Sequence, residues 1–102
     1  MSIRVLILAR PQFPFPPEQL PALIQGFQDW WQRHGSTFEA AYFFAGGPGG
    51  FGIANVSDEA ELNQVMLEWP FTPFSDIEVR PLLDVETALQ QWQAAVQAMS
   101  GQ

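Results

Sequence analysis

The chain has 102 residues, 47% apolar and 14% aromatic, with 11 acids against four bases and a formal net charge of −7. That is enough for one domain, residues 1–102, with a core of its own. The sequence has no Cys, no Lys and one His, which excludes disulfides, thiolate and Schiff-base chemistry and any multi-His metal site, so no metal or cofactor is expected.

Residues 3–10 read as a strand with one wholly apolar face (Ile3, Val5, Ile7, Ala9) and one mixed face (Arg4, Leu6, Leu8, Arg10), the pattern of a central strand. Arg10 and Pro11 break the apolar run too early for a signal segment or a membrane span, so a cytoplasmic protein is expected. The acidic balance argues against nucleic acid and against an anionic membrane surface as partners. Residues 11–17 are a proline-rich connection. A helix starts between Glu18 and Pro21, carries Leu20, Leu23, Ile24, Phe27, Trp30 and Trp31 on one stripe, and ends at His34 with Gly35 as a left-handed cap. One of Trp30 and Trp31 must point partly outward.

Residues 37–45 form a second strand, with Phe38, Ala40, Tyr42 and Phe44 on one face. A glycine-rich turn returns the chain as a third strand over 51–56. Asp58 and Glu61 make a capping box for a helix that carries Leu62, Val65, Met66 and Trp69 and stops at Pro70. Residues 76–82 alternate as a last strand, and Pro81 puts it at an edge or at its own end. Asp84 caps a final helix with Val85, Ala88, Leu89, Trp92, Val96 and Met99 in one stripe, and core packing is expected for all four Trp.

The order is that of a ferredoxin-like βαββαβ sandwich, an α+β fold, with an extra C-terminal helix. Two helices cover one face of its sheet, with short Gly52 and Ala54 beneath them. The other face then holds Leu6, Leu8, Phe51 and Ile53 beside Arg4, Arg10, Asn55, Glu78 and Arg80. It is too apolar to leave in water, and packing against a second copy, as a homodimer, is the expected solution.

Gly49-Gly50-Phe51-Gly52, the Asp58/Glu59 helix start and the run from Trp69 through Pro73, Asp76 and Val79 to Glu86 resemble a short bacterial family, domain of unknown function 3303. The neighbourhood from Pro70 to Val79 is also similar to muconolactone isomerase, of the dimeric α+β-barrel superfamily. The resemblance implies a dimeric α+β barrel, and the packing of two open faces leaves room for a small organic ligand between the two sheets. Muconolactone isomerase carries ionisable residues along its first strand; Arg4 and Arg10 keep basic character at two such positions, whereas Leu6 and Leu8 do not.

Among candidate site residues, Arg4 or Arg10 has the fork geometry to hold a ligand carboxylate. Glu78 or Asp76 would serve as general base if burial raised its pKa. Tyr42 or Asn55 would donate to a developing enolate oxygen, and Arg80 completes the ligand-binding set. The competing explanation is an Arg–Glu network that only satisfies charge across a dimer. Gly47-x-Gly49-x-x-Gly52 is followed by a strand rather than a helix, so it reads as a hairpin loop. His34 reads as a helix-end cation, and Asp58, Glu59 and Glu61 as caps rather than metal ligands. The functional expectation is binding of a small apolar or aromatic acid, with muconolactone-isomerase-like proton transfer that needs no cofactor. The alternatives are a cofactor-independent monooxygenase and a non-catalytic binding or interaction module.

Overall fold

The computed structural model describes residues 2–12 and 16–100. Four strands, β1 (Ile3–Pro11), β2 (Phe38–Phe43), β3 (Gly50–Val56) and β4 (Ser75–Pro81), make one antiparallel sheet in the order β2-β3-β1-β4. The helices are α1 (Leu20–His34), α2 (Glu59–Glu68) and α3 (Val85–Ser100). The fold is the expected ferredoxin-like sandwich with an additional C-terminal helix. β1 is central, and β4 is an edge strand, which is why Pro81 is tolerated in it.

The expected barrel does not form. β2 and β4 are the two outer strands, separated by β3 and β1, and they are not hydrogen-bonded to each other. A sheet closes only when its edge strands meet, so this one stays open.

The core lies on one side of the sheet. Val5, Ile7, Ala54 and Val56 are buried together, with Phe38, Leu62, Met66 and Ile77 packed against them. Gly52 and Ala54 sit under the helices as their short side chains require. A Cβ on Gly52 would run into the Phe38 ring.

Phe38 reaches that ring position through an irregularity in β2. The register shifts between Phe38 and Ala40, so Phe38 opposes Ala54 while Ala40 opposes Ile53. One extra residue, Glu39, thereby moves Phe38 to the covered face and leaves Ala40 and Tyr42 on the open one. The expected sharing of one face by Phe38, Ala40 and Tyr42 is corrected accordingly.

Gly35 is also not a left-handed cap. Its φ and ψ are −58° and −33°, and the chain continues through a 3-10 turn into β2. A Cβ there would lie 3.1 Å from the Trp31 ring, so the glycine makes room for that indole. Left-handed glycines occur instead at Gly46 and Gly49, in the β2–β3 hairpin turn.

The box at Asp58 is formed: Asp58 Oδ1 accepts from the Glu61 N–H at 2.9 Å, and Glu61 Oε1 accepts from the Ser57 N–H at 2.8 Å. Asp84 caps α3 by accepting from the Thr87 N–H at 3.0 Å. The stripe of α3, however, is not in a core. Val85, Leu89, Trp92, Val96 and Met99 are 45–75% exposed, and Trp92 is 66% exposed. The helix extends the molecule to 65 × 28 × 21 Å, with a radius of gyration of 17.8 Å against about 13 Å for a compact chain of this size.

Candidate functional site

A concavity lies between the covered face of the sheet and the C-terminal half of α1. Its volume is about 340 Å³. β1 and β3 supply a floor of Ile7, Ala9, Gly50 and Gly52, where small side chains leave space. α1 supplies Phe27, Trp30 and Trp31; the end of α2 and the loop after it supply Met66, Trp69 and Phe71; β2 supplies Phe38, Ala41, Tyr42 and Phe43.

The aromatic wall is built by helical periodicity. Phe27, Trp30 and Trp31 fall at i, i+3 and i+4 and so share one side of α1. Phe27 sits 5.7 Å from Trp30 and 6.5 Å from Trp31, near-parallel to the latter. Trp30 also contacts Phe38 at 5.5 Å and Trp69 at 6.3 Å, and Phe27 reaches Phe43 at 5.5 Å. Trp30 is the buried member of the pair, at 4% exposure, and Trp31 is the outward one, at 41%.

Trp30 is held by more than packing. Its Nε1–H donates to the Val65 carbonyl at 2.9 Å. Val65 lies in the last turn of α2, where carbonyls lose their helical donors; the Trp69 N–H that would serve it donates to Met66 instead. The indole therefore caps α2 from outside. Arg33 and His34 extend the same joint. Arg33 Nη1 lies 2.5 Å, and His34 Nε2 3.3 Å, from Glu68 Oε1. The Arg33 guanidinium thus lies at the negative end of α2. Hydrogen bonds from Gln64 and then His34, followed by the Arg33 charge, hold the Glu68 carboxyl below the ordinary value of 4.5.

The residues proposed from sequence are placed as follows. Arg4, Arg10, Asn55, Glu78, Arg80 and Tyr42 all belong to register positions of the open face, across the sheet from the cavity floor. Of these, Tyr42 alone also borders the cavity, and it is 65% exposed. Arg4 Nε pairs with Glu39 Oε1 at 2.5 Å, and Arg80 Nη2 with Glu78 Oε1 at 3.2 Å.

The hydrogen bond from Arg80, then its charge, holds the Glu78 carboxyl below the ordinary value. Glu78 is thus exposed and ionised, whereas burial was the condition for its acting as a base. The register runs Tyr42, Phe51, Leu8, Glu78 across the sheet, which separates Tyr42 from Glu78 by three strand spacings, about 14 Å. Within one chain these two do not meet around one small substrate.

The cavity is not legible in the sequence, because helical periodicity places its aromatic wall in the core. The available signal is the surplus of rings: α1 presents three large aromatics to a floor in which Ala9, Gly50 and Gly52 lie beside Ile7, too small to fill the space opposite them. Among the described residues there is no group of three or more His, Asp or Glu side chains able to hold a metal ion, and no helix is long and apolar enough to cross a membrane.

A family model for domain of unknown function 3303 matches residues 10–96. The chain belongs to that family. Among solved structures it is similar to muconolactone isomerase, with a TM-score of 0.70 and 20% identity over 79% of this chain and 88% of the other. It is also similar to a feast or famine regulatory protein of M. tuberculosis, solved with L-methionine, with a TM-score of 0.50 and 17% identity. That match covers 81% of this chain and 51% of the other, so the chain spans about half of the regulator's length. At these identities the likeness is one of fold. No curated protein matches the sequence.

Proposed function

We propose that this member of the family binds a small, largely neutral aromatic compound in the cavity between the sheet and α1. The observation that carries the proposal is the lining of this open concavity: rings and small apolar residues, with no charged side chain among the described ones. Ligand sites are typically concave and apolar, of about 300–1,000 Å³. An apolar cavity of about 150 Å³ takes benzene, so the volume here suits a compound of one or two rings.

The lining favours binding over proton transfer. Tyr42 is the titratable side chain at its border, and the arginines that would hold an acid lie across the sheet. The acid-type ligand expected from sequence therefore gives way to a neutral one. We further propose that the chain acts as a homodimer. The open face, with Leu6, Leu8, Phe51 and Ile53 half-buried, is the support for this, since α1 and α2 both cover the other side.

The test titrates 1-naphthol and, separately, 2-naphthoate into the protein while following tryptophan fluorescence and melting temperature. The neutral probe is expected to quench fluorescence and raise the melting temperature, and the acid to do so much more weakly. Ala41→Phe, which fills the cavity from β2, should abolish the response to naphthol. Equal binding by that variant, or no binding by the parent protein, overturns the proposal.

A further inference from the structure

Helix α3 has sixteen residues and is capped at Asp84, yet it makes no extensive contact with the sheet or the other two helices, and from Leu89 onward every one of its residues is exposed. An isolated helix of that length is marginal in water, and helices of proteins depend on burying an apolar face. The face is present: Val85, Leu89, Trp92, Val96 and Met99 fall on one side, all exposed, and Leu82 and Leu83 continue the patch at 38% and 56% exposure. Together these seven side chains expose apolar area on the order of 600 Å², at the upper end of what a monomer shows.

The chain cannot cover this stripe by itself. Only Leu82–Asp84 separates β4 from α3, and that link is fixed. The Leu82 N–H donates to the Arg4 carbonyl at 2.8 Å, and Asp84 is held by Thr87. The open face of the sheet is the second apolar surface without a cover. One chain thus carries two apolar surfaces that its short linker keeps apart.

We propose that α3 is an exchanged arm that packs on a second copy of this chain, each copy of a two-fold pair receiving the arm of the other. This deepens the homodimer reading and rests on it. Exchange is a two-fold, self-closing arrangement, so each arm is covered and none is left to recruit a third copy. The area fits. Two arms at this exposure, with an equal area on the surfaces they cover, would bury roughly 2,400 Å², within the about 2,000–5,000 Å² of obligate homodimer interfaces.

The charge fits as well. Two chains of net charge −7 repel each other. Within α3 the only charged residue is Glu86; its polar side is Gln90, Gln91, Gln93 and Gln97. The open face holds three of the chain's four arginines, Arg4, Arg10 and Arg80, matched by Asp76 and Glu78 on the same face and by Glu39, which pairs with Arg4, so it carries little net charge. These are the parts of the surface where a second acidic copy meets the least repulsion.

The experiment is sedimentation velocity on the full chain and two double variants, with hydrogen exchange of the α3 amides on the parent protein. The parent chain is expected to sediment as a dimer. Trp92→Glu with Val96→Glu, on the stripe, should weaken association at least about a hundredfold, as loss of a central aromatic anchor does. Gln90→Glu with Gln97→Glu adds the same charge on the polar side and should leave association within about threefold. The α3 amides should be protected in the dimer and exchange rapidly once dilution gives monomer.

A parent chain that is monomeric at all concentrations overturns both the homodimer and the exchange. A dimer that survives the stripe variant unchanged, or whose α3 amides exchange freely, overturns the exchange and leaves the homodimer standing. Should the stripe variant fail to fold, the exchange measurement on the parent chain decides alone.

Discussion

Trp30 couples two tasks in one side chain. Its ring forms part of the cavity wall, and its Nε1–H closes the open end of α2 through the Val65 carbonyl. A phenylalanine keeps most of the ring but has no donor, so the carbonyl is left buried without its partner. Trp30→Phe is therefore expected to lower stability by about 1–3 kcal/mol, the usual cost of such an orphaned group. Urea unfolding followed by circular dichroism measures it. A loss below about 0.5 kcal/mol would mean that water or another donor replaces the indole. Phe27 carries no polar atom and offers the contrast: its value lies in contact area alone, shared among Trp30, Trp31, Phe43 and Phe71.

At the scale of elements, the polar punctuation is the part of the structure most directly written in the sequence. Asp58 with Glu61 three residues on specifies the start of α2, because each carboxylate has a backbone donor to satisfy. Asp58→Ala should cost about 1 kcal/mol and Asp58→Asn much less, since Asn can still accept from the Glu61 N–H; the shift in urea midpoint at constant slope tests this. Equal losses in the two variants would point to charge rather than hydrogen bonding as what Asp58 contributes. The order of strands and helices was legible for the same kind of reason, since strand and helix periods differ and Pro and Gly separate them. The bulge at Glu39 was not. Its residues Phe38, Ala40 and Tyr42 alternate well enough for a regular strand, and only the packing of Phe38 against Gly52 and Trp30 selects the shifted register. The role of Gly35 was equally hidden, because it depends on where the Trp31 ring lies. The cavity and the exposed α3 stripe share one cause. An apolar period says that a face will be covered, but not by what, and not whether the cover fits without leaving space.

For the whole molecule, acid should act in two opposing ways. The net charge of −7 at neutral pH works against compactness through self-repulsion, and protonation of carboxylates relieves it. Against this stand three carboxylates held below their ordinary values: Glu68 by Gln64 and His34, Glu78 by Arg80, and Asp84 by the backbone and hydroxyl of Thr87. A group whose value is lower in the folded chain binds its proton more readily when unfolded. Its contribution is complete above the unfolded value, 4.5 for the two Glu and 3.8 for Asp84, and is lost as pH falls through the lower folded value. Stability should accordingly hold or rise slightly from pH 7 towards 5, then fall below about pH 4.5. All three groups are at the surface, so salt should flatten the fall. Melting temperature measured from pH 7 to 3 at low and high salt checks this. Glu68→Gln isolates the joint between α1 and α2: it should lower stability at pH 7 and reduce the fall on acidification, because the group that supplied part of it no longer titrates. A variant that loses stability equally at every pH would show that Glu68 acts at this joint through hydrogen bonds that protonation leaves intact.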